Sequence, residues 1–376
     1  MAALTEEQGM IRDQAQNWAS TQSPVKKFRE MRDSDTDIAF FPETWSSMIE
    51  MGWTGILVPE AYGGSELGYL TVGVVLEEIG RHLTASPLFA SAVVGATALV
   101  QAGSEDQKQH FLPKIVDGTS ILTLALDEGP RTRPADIAMK AAASGDGYTL
   151  SGSKTFVHEG MSATDFIVAA RTSGEAGDES GITLFLVPAD AVSRNRLKTV
   201  DSRGYANIDF DDVTVGKEQV LGDVDAGFAP LEATLDRARA ALSAEMLGTA
   251  SQAFDMTLDY LQNRKQFGQV IGSFQALGHR AAALFTAKEL TRSCVEAALT
   301  AIDEGDENVP MMCSLAKCKA GEFLHDMSNE LIQIHGGIGM TDEFDAGFYL
   351  KRARVLENAF GNQAYHKDRF ARLRGF

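Results

Sequence analysis

The spacing of apolar residues changes twice along this chain, from helical to strand-like and back to helical. Residues 70–83 place apolar side chains at positions three to four apart, which predicts an amphipathic helix. Residues 119–222 consist of short β-branched and aromatic runs separated by turn residues, a pattern typical of strands. From about Phe228 onward, long segments rich in Ala, Leu and Met predict a helical bundle.

This order predicts an α+β fold in three parts. We expect an N-terminal helical domain over residues 1–118, a central antiparallel β domain over 119–225 and a C-terminal domain resembling a four-helix bundle over 226–376. Within the central domain, the runs at 148–151 and 154–157 flank a Ser-Gly pair, which predicts a tight turn between two strands.

Composition excludes several classes of function. The formal charge of −18 argues against a nucleic-acid or anionic-membrane partner, because both require a basic surface. The three cysteines form no CxxC pair, so we expect a reducing compartment, no disulfide and no metal site. No apolar run reaches the roughly 18–20 residues of a membrane span, and no signal peptide is evident. These features predict a cytoplasmic protein without a membrane span.

Two segments of the C-terminal part carry candidate binding residues. Residues 263–268 read NRKQFG, and residues 333–340 read QIHGGIGM. Arg264 offers a planar set of donors suited to phosphate oxygens, and glycines let backbone N–H groups approach an anion. Each segment taken alone has an ordinary alternative. Arg264 could complement a helix dipole, and the glycine pair could form a simple turn.

Together with VPEAYGG at 58–64, GSK at 152–154 and FDDV at 210–213, these segments resemble the acyl-CoA dehydrogenase family from end to end. The segment YLKRAR at 349–354 is most similar to bacterial members of the heterotetrameric type that act on sterol and bile-acid side chains. The resemblance implies an FAD-dependent oxidoreductase. Its expected partners are an acyl-CoA substrate, electron-transfer flavoprotein, and further subunits in a homo- or hetero-tetramer with a paralogous chain.

The resemblance also implies which residues contact FAD. Those expected to hold the pyrophosphate and adenosine end of a neighbouring subunit's FAD are Arg264, Phe267, Gln333, Gly336 and Gly337. The residues expected beside this chain's own flavin ring are Phe156 and His158. His158 stands where the family usually has Thr or Ser, and a solvated histidine is the alternative.

The catalytic base departs from the family pattern. Phe360 occupies the position of the usual glutamate, and Ala238 occupies the position that some members use instead. Glu245 lies about two helical turns after Ala238 in an apolar stretch, and is the candidate base. Such a carboxylate either has a raised pKa or serves as a structural acid. Two other acids are weaker candidates: Glu357, as a surface acid or partner of Arg354, and Asp236, as a solvated or capping residue.

The loop expected to face the flavin also departs. Residues 127–136 read DEGPRTRPAD, so the family's glycine-rich turn is missing while Glu128 and Asp136 keep their places. Arg133 stands where the family has a serine. The two arginines of this loop could meet CoA phosphates, or the loop could have been remodelled after losing its ligand.

Three functions stay open at this point. The chain could be the non-catalytic partner in a mixed oligomer, contributing its FAD-tail residues to a paralogous subunit. It could be a self-sufficient acyl-CoA dehydrogenase with Glu245 as an unconventional base. It could also be a structural or ligand-binding homologue without redox chemistry, which the intact segments around Arg264 and Gln333 disfavour.

Overall fold

The computed structural model describes residues 4–376, and most of that stretch is helical. The α-helices of this stretch are α1 (Glu6–Gln22), α2 (Val25–Ser34), α3 (Pro42–Glu50), α4 (Gly68–Arg81), α5 (Ala96–Ala102), α6 (Glu105–Val116), α7 (Phe228–Asn263), α8 (Gln275–Glu304), α9 (Val309–His335), α10 (Ala346–Leu356) and α11 (Gln363–Leu373). A buried π-helix at Phe89–Gly95 precedes α5. The helical periodicity at 70–83 thus corresponds to α4.

The strands lie mainly in the middle of the chain. They are β1 (Leu122–Ala125), β2 (Lys140–Ser144), β3 (Gly147–Val157), β4 (Asp165–Arg171), β5 (Ile182–Pro188), β6 (Ser193–Arg196), β7 (Ala206–Gly216), β8 (Val220–Leu221), β9 (Lys265–Gln266) and β10 (Gln269–Val270). The first eight form one sheet in the order β6-β7-β3-β2-β4-β5-β8, with β1 paired to β4. β9 and β10 form a separate hairpin.

The chain divides into two compact units. The first comprises residues up to Arg29, Tyr69–Thr84 and Arg239–Phe376, and contains most of the long helices. The second comprises Glu30–Gly68 and Ala85–Ala238, and contains the eight-stranded sheet. Apolar side chains of β2 to β7, including Phe166, form the core beside that sheet.

The sheet differs from the sequence prediction in two respects. β3 runs unbroken from Gly147 to Val157, so the predicted tight turn at 152–153 is wrong. The pairing of β3 with β7 shifts register between Leu150 and Gly152, where Gly152 has φ of +147°, so the Ser-Gly pair marks a β-bulge. The sheet is mostly antiparallel, but β1 and β2 each pair with β4 in parallel.

Two glycines allow α4 and α7 to pack closely within the first unit. A Cβ atom on Gly248 would overlap the backbone carbonyl of Glu77, and one on Gly80 would overlap the carbonyl of Glu245. Because both obstacles are backbone atoms, neither can move aside as a side-chain tip could. The close packing of α4 on α7 therefore requires residues without a Cβ atom at positions 80 and 248.

We expect Gly248→Ala to destabilise the protein by about 3 kcal/mol or more, because the new methyl group must displace α4 from α7. The matched control is Gly278→Ala in α8, where a Cβ meets nothing within 4 Å. There the better helix propensity of alanine should stabilise by about 0.5–1 kcal/mol. Chemical denaturation of the two variants measures both effects. Equal denaturation midpoints for Gly248→Ala and Gly278→Ala would contradict the proposed role of Gly248.

Candidate functional site

The residues expected to hold the FAD tail begin on the hairpin of β9 and β10. Phe267 and Gly268 form its turn with φ of +53° and +78°, and positive φ at both central residues is the signature of a type I′ turn. The side chain of Phe267 at the tip is 90% exposed. Its ring lies edge-on to Phe274, with centroids 6.2 Å apart. An aromatic side chain so exposed is available to a ligand or another chain.

Packing brings this hairpin beside the end of α9. Leu261 and Ile271, on either side of the hairpin, are buried in one apolar cluster with Ile334. The ring of Tyr260 stacks on that of His335 with centroids 4.2 Å apart. Sequence positions about 70 apart are thereby joined at one end of the helical unit.

This end of the helical unit offers unused hydrogen-bonding groups. The side chains of Arg264 and Gln333 are exposed, and neither makes an ion pair or hydrogen bond within residues 4–376. A Cβ on Gly336 or Gly337 would meet nothing within 4 Å, so open space lies beside both backbones. A guanidinium, an amide and an accessible glycine backbone match the needs of a pyrophosphate. The chemistry of these residues is therefore compatible with the pyrophosphate end of FAD.

The residues expected beside the flavin ring lie in an aromatic group on the sheet. Phe156 is 39% exposed, has φ of +57°, and packs on the buried ring of Tyr205 at 4.5 Å. His158 contacts the same tyrosine edge-on at 4.7 Å and Phe89 at 6.0 Å. The histidine is therefore partly buried and packs against aromatic rings, rather than being surrounded by solvent. The contribution of Tyr205 was not evident from the sequence.

The neighbouring loop is held by a partly buried ion pair. Lys154 is fully buried, and its Nζ donates to Oε1 of Glu128 at 2.6 Å and to the carbonyl of Leu126 at 3.0 Å. Burial lowers the pKa of Lys154, and the adjacent Glu128 carboxylate opposes that shift. Glu128 also accepts from the backbone N–H groups of Ala138 and Met139. Its carboxylate is thereby committed to shaping the loop.

The loop arginine Arg133 has an internal partner. Arg133 lies 3.4 Å from Asp136 in an exposed ion pair. Exposed pairs of this kind contribute about 0–1 kcal/mol, so Arg133 could exchange Asp136 for another anion at little cost.

The turn that carries Phe360 is held by buried side chains from three helices. Phe360 has φ of +55°, an uncommon conformation for a bulky residue. Its carbonyl accepts from Nε of Arg239 at 3.3 Å and from Nε2 of His366 at 3.1 Å. Nζ of Lys317 donates to the carbonyls of Leu356, Glu357 and Gly361 at 3.0–3.2 Å. The backbone of this turn is therefore fixed by three side chains, and the side chain that it carries is apolar.

Two titratable groups behind this turn have strongly shifted pKa values. Burial, assisted by the nearby Arg239, lowers the pKa of Lys317 to about 7. Burial, with Lys317 and Arg239 close by, lowers the pKa of His366 to about 2, so its imidazole is neutral. Because a carbonyl can only accept, Nε2 of His366 carries the proton in its bond to Phe360. The sequence signals Lys317 only as a lysine within the mostly apolar run SLAKCKAG.

The depressed pKa of Lys317 predicts how stability changes with pH. Between the folded value of about 7 and the usual value of 10.5, the unfolded chain binds the proton more strongly. Because of Lys317, the free energy of unfolding therefore increases as pH rises through that window. Below pH 7 this lysine is protonated in both states and contributes no further pH dependence. We expect Lys317→Met to flatten the dependence of melting temperature on pH over that same window. An unchanged slope in the variant would show that Lys317 is not the titrating group.

The candidate base Glu245 takes part in a buried ion pair. Its side chain is 7% exposed, and its Oε1 accepts from Nη2 of Arg352 at 2.6 Å and from Nε at 3.1 Å. Arg352 is itself 8% exposed. Two donors of the Arg352 guanidinium hold Oε1 of this buried carboxylate, which favours the structural role over proton abstraction.

The two weaker candidates are also placed. Glu357 is paired with Arg354, and its Oε2 lies 3.0 Å from Nδ1 of His325. The predicted pairing with Arg354 is confirmed, although Glu357 is buried rather than on the surface. Asp236 is 3% exposed, so the expectation of a solvated residue is wrong.

Across positions 4–376, no helix is both long and apolar enough to cross a bilayer. Over the same positions, no cluster of three or more His, Cys, Asp or Glu side chains has a geometry suited to a metal ion.

Comparison with known proteins assigns the whole chain to one family. Residues 5–119, 127–214 and 225–373 match the N-terminal, middle and C-terminal domains of acyl-CoA dehydrogenases. The probable acyl-CoA dehydrogenase YngJ of Bacillus subtilis is 32% identical, with 98% of each chain aligned.

Solved structures give the same result. A variant of the Tcur3481-Tcur3483 steroid acyl-CoA dehydrogenase is 30% identical with a TM-score of 0.89, covering 98% of both chains. The ChsE4-ChsE5 complex of Mycobacterium tuberculosis is 27% identical with a TM-score of 0.89, covering 99% of this chain and 98% of that one. The predicted fold and family are thus confirmed, and the chain belongs to the acyl-CoA dehydrogenases, a family of FAD-dependent oxidoreductases.

Proposed function

We propose that this chain is the non-catalytic subunit of a mixed acyl-CoA dehydrogenase oligomer, and that it completes the FAD site of a paralogous catalytic subunit. The observation that carries this proposal is the Phe360 turn. Its backbone is held by Arg239, His366 and Lys317, yet its side chain has no group that can accept a proton. A backbone turn retained without its base fits a subunit selected for assembly rather than proton abstraction.

The nearby acids support the same conclusion. Glu245 is engaged by Arg352, and Glu357 is engaged by Arg354 and His325. Freeing Glu245 for catalysis would leave the buried Arg352 without its partner, and freeing Glu357 would break its contacts with Arg354 and His325. Breaking a buried ion pair costs several kcal/mol of stability. The base for α-proton removal is therefore assigned to the partner subunit.

The group that this chain contributes is the FAD-tail set. Arg264 would hold the pyrophosphate, Gln333 and the backbone at Gly336 and Gly337 would complete its polar contacts, and Phe267 would cover its apolar parts. Because the side chains of Arg264 and Gln333 make no hydrogen bond or ion pair within residues 4–376, binding would break no internal bond of either side chain. The bound flavin would supply a hydride acceptor, and this chain would orient it without moving a proton.

The reaction of the complex would be α,β-dehydrogenation of a CoA thioester to the 2-enoyl-CoA. The proposed electron acceptor is electron-transfer flavoprotein, as the family resemblance implies. Two of the similar structures are named for pairs of chains, Tcur3481-Tcur3483 and ChsE4-ChsE5, and the first is described as a steroid enzyme. These names support a mixed oligomer, and a bulky acyl group is the first substrate class to test.

The deciding experiment is the visible absorption spectrum of the purified chain with its flavin-to-protein ratio. We expect little flavin in the chain alone and about one flavin per pair of chains after co-expression with its paralogous genomic neighbour. A full flavin complement together with turnover by the isolated chain would overturn the proposal. That result would support the self-sufficient enzyme instead.

A further inference from the structure

A small cavity in the sheet-containing unit has a strongly basic lining. It has a volume of about 100 Å³ and lies where the end of α2 meets the segment after β6. Four of its lining side chains are cationic and only one is a carboxylate; its charged residues are Arg32, Asp35, Arg196, Lys198 and Arg203. Two carboxylates outside the lining balance part of this charge, since Asp33 lies 2.7 Å from Arg32 and Asp37 lies 3.5 Å from Arg196.

The loop that supplies two of these cations, Lys198 and Arg203, is tightly closed. The N–H of Leu197 donates to the carbonyl of Tyr205 at 2.8 Å, which joins the two ends of the loop. Ser202 within it has φ of +55°, a conformation that non-glycine residues rarely adopt. Ser202 and Thr199 also line the cavity. The basic groups therefore lie on a defined backbone.

Arg196 has capacity left for an additional acceptor. Its Nη1 lies 3.1 Å from Asp35 and 3.5 Å from Asp37, yet its buried Nε has no hydrogen-bond partner within residues 4–376. Buried donors are almost always paired in native proteins, so an unpaired donor within a side chain that lines a cavity calls for a ligand or water.

Asp35 supplies an internal anion to this basic group. Its two carboxylate oxygens lie 3.1 Å from Arg196 and 3.6 Å from Lys198. The Asp35 side chain is 66% exposed, and its backbone has φ of +46°. Exposed ion pairs are weak, and an exposed carboxylate can swing into solvent. Asp35 can therefore give up its place to a stronger anion.

We propose that this cavity is a binding site for a phosphoryl oxyanion, which displaces the carboxylate of Asp35 from Arg196 and Lys198. A single water needs about 10–15 Å³ of such space, so the cavity has room for a tetrahedral anion. Arginine forks and a lysine ammonium bind phosphate oxygens strongly. The anion could be free phosphate or the phosphate ester of a nucleotide. The site is independent of the subunit role proposed above.

The test is calorimetric titration of the purified chain with inorganic phosphate, and separately with adenosine 3′,5′-bisphosphate, at low ionic strength. Asp35→Asn should bind phosphate several-fold more tightly, because it removes the competing carboxylate. Arg196→Gln should bind at least about 10-fold more weakly, since a charge-assisted bond is lost. Effects of opposite sign from two neighbouring substitutions are not produced by general destabilisation.

Further variants keep the result interpretable. Lys217→Gln makes the same charge change at an exposed pair with Asp146 that does not line the cavity, and should leave binding within twofold of the original. If Arg196→Gln fails to fold, the 78% exposed Lys198 provides Lys198→Gln, which should also weaken binding. Equal affinity for the two compounds would identify the ligand as a simple oxyanion. Tighter binding of adenosine 3′,5′-bisphosphate would identify it as a nucleotide. The proposal is overturned if Asp35→Asn does not bind phosphate. It is also overturned if Asp35→Asn and Arg196→Gln both bind phosphate with the affinity of the unsubstituted protein.

Discussion

Replacing Arg264 by glutamine is expected to strip flavin from the complex of this chain with its catalytic partner. Charge-assisted hydrogen bonds to phosphate are each worth about 1.5–3 kcal/mol. Loss of the guanidinium should therefore weaken FAD binding by about 10- to 100-fold. Because the side chain makes no ion pair or hydrogen bond within residues 4–376, its removal should leave the stability of this chain nearly unchanged. Flavin absorbance per complex after gel filtration measures the effect.

The neighbouring lysine provides a matched control for this experiment. Lys265→Gln removes the same charge from the same hairpin, one position further along, and should retain flavin. Turnover should fall with flavin content in Arg264→Gln and recover on addition of excess FAD, since the partner's base is untouched. If Arg264→Gln keeps its full flavin while Lys265→Gln loses it, the assignment of the pyrophosphate contact is wrong.

The features that the sequence predicted well are those that depend on local pattern. The helical spacing of 70–83 and the β-branched runs of the middle region reappear as α4 and the strands of the sheet, because periodicity reflects which face of an element is buried. The motif around Arg264 could likewise be recognised from the sequence, because its exposed side chain does not depend on a partner elsewhere in the chain. The packing of Leu261 and Ile271, which flank the hairpin, against Ile334 of α9 is a long-range contact that no local pattern reveals.

The features that the sequence missed depend on contacts between distant residues. Glu245 could be recognised as a carboxylate in an apolar stretch, but its partner Arg352 lies 107 positions away. Without that partner, the choice between a base and a structural acid stayed open. The side chains that hold the Phe360 turn come from three separate helices, so their convergence follows only from the fold. The bulge at Gly152 resembles a turn in sequence, because both use the conformational freedom of glycine.

Replacing Glu245 by glutamine should destabilise this chain strongly while leaving catalysis by the mixed complex intact. Removal of one partner of a buried pair leaves the other charge uncompensated, which costs about 3–5 kcal/mol. Glu245 and Arg352 are 7% and 8% exposed, so solvent screening provides little relief. The expected result is a large fall in the denaturation midpoint, with kcat per bound flavin unchanged within about twofold.

A second substitution separates the loss of the pair from other effects of the change. In Glu245→Gln with Arg352→Met, no unpaired charge remains, so most of the lost stability should return, as it does when a whole buried pair is replaced by apolar or neutral groups. A catalytic base would behave in the opposite way. Glu245→Gln would then reduce kcat by orders of magnitude, the second substitution would not restore it, and stability would change little. Because the two roles predict opposite responses in stability and in turnover, measuring both in the two variants decides between a structural acid and a base.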